Sequence, residues 1–82
     1  MTIDYIHNGL KNPHYAMGHR KFIIEQLNHL GAKDDEASHI FVLLLEVAWL
    51  YSTPSNPEYS DKTKAFKEAM ANLPRSWRGR MN

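Results

Sequence analysis

Apolar residues recur along most of this chain at spacings of three and four, the period of an amphipathic helix and not the alternation of a strand. A short first helix is expected with Thr2 as its cap, Ile3, Ile6 and Leu10 on one face, and Gly9 near its end. The stretch "KNPHY" then restarts the chain. Asn12 is a good N-cap, and Pro13 at the first helical position gives up only an N–H that would be unpaired there anyway. One helix is expected to run from there to Gly31, a natural left-handed stop, with Ala16, Ile23, Leu27 and Leu30 on one face. Gly18 weakens its early turns, so the firm part begins near His19. "SNPEY" repeats the cap-and-proline device at Asn56 and Pro57. Tyr59, Thr63, Phe66, Met70 and Leu73 follow at spacings of 4, 3, 4 and 3, and the helix they define stops at Pro74. Lys64 and Glu68 form an (i, i+4) pair on its outer side. Both NPHY and NPEY also fit a peptide motif read by signalling domains, but the helix-start reading explains them without a partner.

Between these lies "HIFVLLLEVAWLY", residues 39–51, the most apolar stretch. A bilayer span needs about 20 apolar residues, and this run is too short. Leu-rich composition and length favour a helix capped by Asp34 or Asp35, whose acidic side chains also suit the positive end of the helix dipole. Projected at helical period, Asp35, His39, Glu46 and Thr53 fall in a narrow strip with Val42 and Trp49 beside it. Apolar side chains fill the remaining circumference. A central helix is therefore expected, surrounded by the others and wet along one edge. Glu46 must lie on that edge or meet a cation, because an unpaired buried carboxylate is costly. His39 and Glu46 are about 10 Å apart along the axis and cannot bond each other. The strip either only keeps this edge wet or, through Val42 and Trp49, docks another helix. The fold class expected is all-α: a small single-domain bundle of three main helices plus a short N-terminal one. It occupies residues 1–74, with a basic flexible tail at 75–82.

Eighty-two residues allow one domain with one core. The absence of cysteine removes thiol chemistry and suits a reducing compartment. The first residues lack a signal-peptide pattern, so a cytoplasmic location is expected, with no transmembrane segment. Net charge is only +1, but the last third is basic: Lys62, Lys64, Lys67, Arg75, Arg78 and Arg80 face only Asp61 and Glu68. Ser38 and His39 are sequence neighbours, not a nucleophile and base in register. His14 and His19 are five apart, off the helical metal-binding spacing, and no other ligand type accompanies them. No glycine-rich phosphate loop is present. No enzyme activity, metal or cofactor is expected.

Binding remains. "PRSWRGR" offers Arg75, Trp77, Arg78 and Arg80 to phosphates and a base, to an acidic protein groove or to an anionic membrane, or Trp77 could complete the core. A helix-turn-helix unit around Gly31 is disfavoured, since its second helix would be apolar on nearly every side. Candidate partner-binding residues are therefore His39, Val42, Glu46, Trp49, Arg75, Trp77, Arg78 and Arg80.

In length, helical class and the ending "STPSNPEYSDKTKAFKEAMANLPRSWRGRMN", the chain resembles the lysis-inhibition accessory proteins of T4-like bacteriophages, the cytoplasmic antiholins of the third rapid-lysis locus. The resemblance covers the full chain and rests on no diagnostic motif. It implies a non-enzymatic regulator that binds the cytoplasmic segment of the phage holin in the host cytoplasm and delays lysis, while a periplasmic antiholin holds the holin's other side. The alternatives are a nucleic-acid-binding or transcription-modulating phage protein using the basic last third, and a dimerisation or scaffold module forming a homo-oligomer.

Overall fold

Three of the helices begin where the side-chain oxygen of an Asp or Asn meets their first free N–H groups. A computed structural model describes residues 3–75 and contains five helices, α1 Tyr5–Gly9, α2 Pro13–Gly18, α3 Arg20–His29, α4 Asp34–Leu50 and α5 Pro57–Ala71. The cap of α1 is Asp4, whose carboxylate accepts the His7 N–H at 2.9 Å. Thr2, expected in that role, lies outside the described residues. Ile3 therefore precedes the helix and is exposed, not part of the buried face. Asn12 and Asn56 cap α2 and α5 as expected: Asn12 Oδ1 accepts the His14 and Tyr15 N–H groups, Asn56 Oδ1 accepts the Glu58 N–H, and each is followed by proline.

The long second helix is in fact two. Gly18 ends α2, His19 sits at φ −117° and ψ 24°, and α3 begins at Arg20. Glycine gives the helix little reason to continue, and side-chain contacts hold the joint. His19 Nδ1 lies 2.9 Å from the Tyr15 carbonyl, and its ring stacks on Tyr15 with centroids 4.0 Å apart. Tyr5 of α1 stacks on Phe22 at 5.0 Å across the same joint. Gln26 ties α1 to α3 more firmly. Its Oε1 accepts the Ile6 N–H at 3.1 Å, and its Nε2 donates to the Ile3 carbonyl at 2.9 Å.

The end of α3 is a Schellman turn. The Ala32 N–H donates to the Leu27 carbonyl at 3.0 Å and the Gly31 N–H to the Asn28 carbonyl at 2.9 Å. Gly31 has φ +104°, and a Cβ there would stand 2.6 Å from Pro74 Cδ. Glycine is thus required by backbone and by packing together. The next helix starts one residue earlier than the expected caps. Lys33 is its N-cap, and Asp34, Asp35 and Glu36 occupy its first turn. Glu36 Oε1 accepts the Lys33 N–H at 3.3 Å, the reciprocal half of a capping box. The acidic run still meets the positive end of the dipole.

Helix α4 is the centre of the fold and packs against each of the other four. Its inner arc, Ala37, Ile40, Phe41, Leu44, Val47 and Ala48, is buried. Ile6 of the first helix and Leu10 at its C-cap, Ala16, Ile23 and Leu27 from the next two, and Phe66 and Met70 of the last with Leu73 just beyond it close the core around it. Gly9 permits the close approach of α1: a Cβ there would stand 3.0 Å from Ile23 Cδ1 and 3.2 Å from Leu44 Cδ2. By contrast α5 packs on α4 and on no other helix among the described residues. The small all-α fold is as expected; the count of helices differs because of the break at His19. None of the helices among the described residues is long and apolar enough to cross a membrane.

Candidate partner-binding face

The strip expected along α4 is present but divided between two neighbours. His39, Val42 and Trp49, separated by three and seven residues, share one outward side of the helix. Val42 is 52% and Trp49 57% exposed, a large apolar surface for the most apolar helix of the chain to leave uncovered. Trp49 is fixed from one side. The ring of His14, on α2, meets it edge-on with centroids 5.8 Å apart and planes inclined at 70°. Met17 follows His14 by one turn and is 49% exposed. Further along, the Arg20 guanidinium lies over the Phe41 ring at 5.6 Å from its centroid. The exposed apolar side chains here are Val42 and Trp49 on α4 and Met17 on α2, with His14 on α2, Arg20 at the start of α3 and His39 on α4 as the polar side chains of the same region.

Glu46 belongs to the other side. Its carboxylate is ion-paired with the Lys62 ammonium of α5, and both side chains are about two-thirds covered at 36% and 39% exposure. The hydrogen bond to Glu46, followed by the charge of that carboxylate, raises the Lys62 pKa above its usual 10.5; desolvation opposes the shift, and Glu58 and Asp61 add to it. Of the two positions open to Glu46, edge or cationic partner, it takes both. It fastens α5 to α4 and is not a free contact for a partner. Thr53 lies beyond the helix end, where its hydroxyl donates to the Leu50 carbonyl at 3.3 Å, so the helical projection does not extend to it.

Arg75 is also committed. Its N–H donates to the Leu30 carbonyl at 3.0 Å, and its Nη1 donates to the His29 carbonyl at 3.1 Å, placing a cation at the negative end of α3. Its described hydrogen bonds thus go to the end of α3. Trp77, Arg78 and Arg80 lie outside the described residues. Of the eight candidates, His39, Val42 and Trp49 are brought together, Glu46 and Arg75 are used elsewhere, and the other three have no described position.

Sequence reasoning missed His14 and Met17. Met17 had a usable signal: it is apolar yet stands about 100° around the helix from Ala16, off the buried side. His14 carried none, because its role depends on how α2 crosses α4. The two histidines weighed as a metal pair serve separate contacts, His14 against Trp49 and His19 against Tyr15.

These residues form a surface suited to an apolar contact with a polar border. Comparison of the chain with protein-family models, with curated proteins and with solved structures finds no match.

Proposed function

We propose that the chain is a non-enzymatic regulatory domain that captures an amphipathic helical segment of a protein partner on the face between α2 and α4. The observation that carries this reading is the joint exposure of Val42 and Trp49 on the central helix, with Met17 exposed on α2, the helix whose His14 meets Trp49. Three exposed apolar side chains ringed by polar ones supply what helix-in-groove capture needs: anchors at helical spacing and a rim that sets orientation. Each anchor is about half exposed, so burying the rest contributes about 1–1.5 kcal/mol before the costs of association are met.

The partner in this proposal is the short cytoplasmic segment of a phage holin, as the likeness to cytoplasmic antiholins implies. Binding it would delay host-cell lysis by stabilising the complex that a periplasmic antiholin holds from the other side. The rival reading, nucleic-acid binding by the basic last third, is less favoured because two of its six cations are engaged: Lys62 with Glu46 and Arg75 with the end of α3.

Recovery of the tagged chain from infected cells separates the two. The proposal expects the holin to come down with the protein in a complex that resists added salt. Phosphate contacts would instead weaken steeply as salt rises. Nucleic acid without any membrane protein would overturn the proposal. A plain dimerisation module would instead show a melting temperature that depends on protein concentration.

A further inference from the structure

A second surface, on the opposite side of α4, has different chemistry. Because α5 packs on α4 alone, a gap remains between α5 and α1, a cleft of about 710 Å³. That size suits a small ligand. Leu10 and Val47 provide an apolar floor, and Tyr51 and Tyr59 stand at one end with ring centroids 6.4 Å apart and planes at 65°. Lys11 reaches the cleft from the α1 side, Lys64 and Lys67 from α5. Lys64 does not form the ion pair with Glu68 that their spacing suggested; both side chains line the cleft instead, and neither Lys11 nor Lys64 is ion-paired among the described residues. Glu68 is the one carboxylate on the described lining, against three ammonium groups. The Thr63 hydroxyl, from the same lining, is buried without a hydrogen-bond partner among the described residues.

From this arrangement we infer that the cleft between α1 and α5 binds a nucleotide, with its phosphate between Lys11 and Lys64 and its base against Tyr51 and Tyr59. Lysines from the turn after α1 and from α5 on one lining favour an anion held between them, and every nucleobase has a flat face that an aromatic ring can stack on. The tyrosine pair on the same lining favours a ligand with a flat ring over an inorganic ion alone. The same unit could arrive as a free mononucleotide or within a single strand. This inference does not depend on the Val42 and Trp49 face, and either can fail without the other.

The test is an amide chemical-shift titration of the full chain with adenosine monophosphate, and separately with adenosine, inorganic phosphate and an oligothymidylate. The expected result is that adenosine monophosphate moves the amides of the Lys11 and Tyr59–Lys67 regions and binds at least about tenfold more tightly than adenosine or phosphate alone. The double substitution Lys11→Gln and Lys64→Gln, at exposed positions, lowers that affinity about tenfold with the melting temperature unchanged. An oligothymidylate at least tenfold tighter at the same amides identifies a single strand as the source; equal or weaker binding identifies the free nucleotide. The inference is overturned if millimolar adenosine monophosphate leaves these amides unmoved, if phosphate alone binds as well, or if the double substitution changes nothing.

Discussion

Gly31 shows how one residue can satisfy two demands. Its φ of +104° is open to few side chains, and Pro74 closes the space a Cβ would need. Gly31→Ala is therefore expected to cost about 1–3 kcal/mol, since strain at such a backbone position and the shift forced on Pro74 act together. Urea unfolding measures it, and a loss below about half a kcal/mol would show that the turn relaxes freely. Glu46 and Lys62 carry the second prediction at this scale. The Lys62 pKa is higher in the folded chain than its ordinary 10.5, so the folded state holds that proton more tightly. The stabilisation is fully present below pH 10.5 and is lost as the pH rises through the folded value. Glu46→Gln should flatten this alkaline loss. The melting temperature of the wild-type chain should fall more between pH 9 and pH 11.5 (values about the ordinary lysine range) than that of the variant. Parallel curves would remove Glu46 as the cause of the shift.

Among the elements, α5 is held differently from the rest. Its buried side chains Phe66 and Met70 reach the core, as does Leu73 just beyond its end, but among the described residues α4 is the one helix it packs on, whereas α3 packs on three others. Local stability follows the number and burial of such contacts. Native-state hydrogen exchange should therefore show the α5 amides opening at lower free energy than the inner amides of α3 and α4. Exchange of all three in a single global step would contradict this. The helices also differ in how far they were legible beforehand. Those opened by Asn-Pro were readable to the residue, because a cap and a proline act locally. The break at His19 was only half visible. Gly18 announced a weak point, but the stacking of Tyr5 on His19 and Phe22 at the joint depends on α1 folding back over α3. Gln26 is similar: nothing local marks a glutamine that will bond the Ile6 N–H from twenty residues away.

At the scale of the whole molecule, a single central helix separates two surfaces. On one side α2 leaves Val42 and Trp49 uncovered; on the other α5 covers Glu46 and leaves the lysine-lined cleft. The helical projection found the side of α4 that is not buried, because period alone determines it. It could not divide that side between neighbours, since Glu46 and Trp49 lie only about 60° apart around the helix and their fates depend on where α5 and α2 cross. The candidate site was thus legible as an exposed strip on one helix but not as a face shared with another.

The proposed capture of a holin segment is tested most directly by titrating a peptide of that cytoplasmic segment into the wild-type chain and into the double variant Val42→Ser, Trp49→Ser. Both positions are more than half exposed, so each change should cost no more than about 0.5 kcal/mol and the two melting curves should nearly coincide. The wild-type chain should bind the peptide, and the variant should lose at least about tenfold in affinity, as expected when anchors at an interface centre are removed. Equal affinity of the two proteins, or no binding by the wild-type chain, would contradict the proposal.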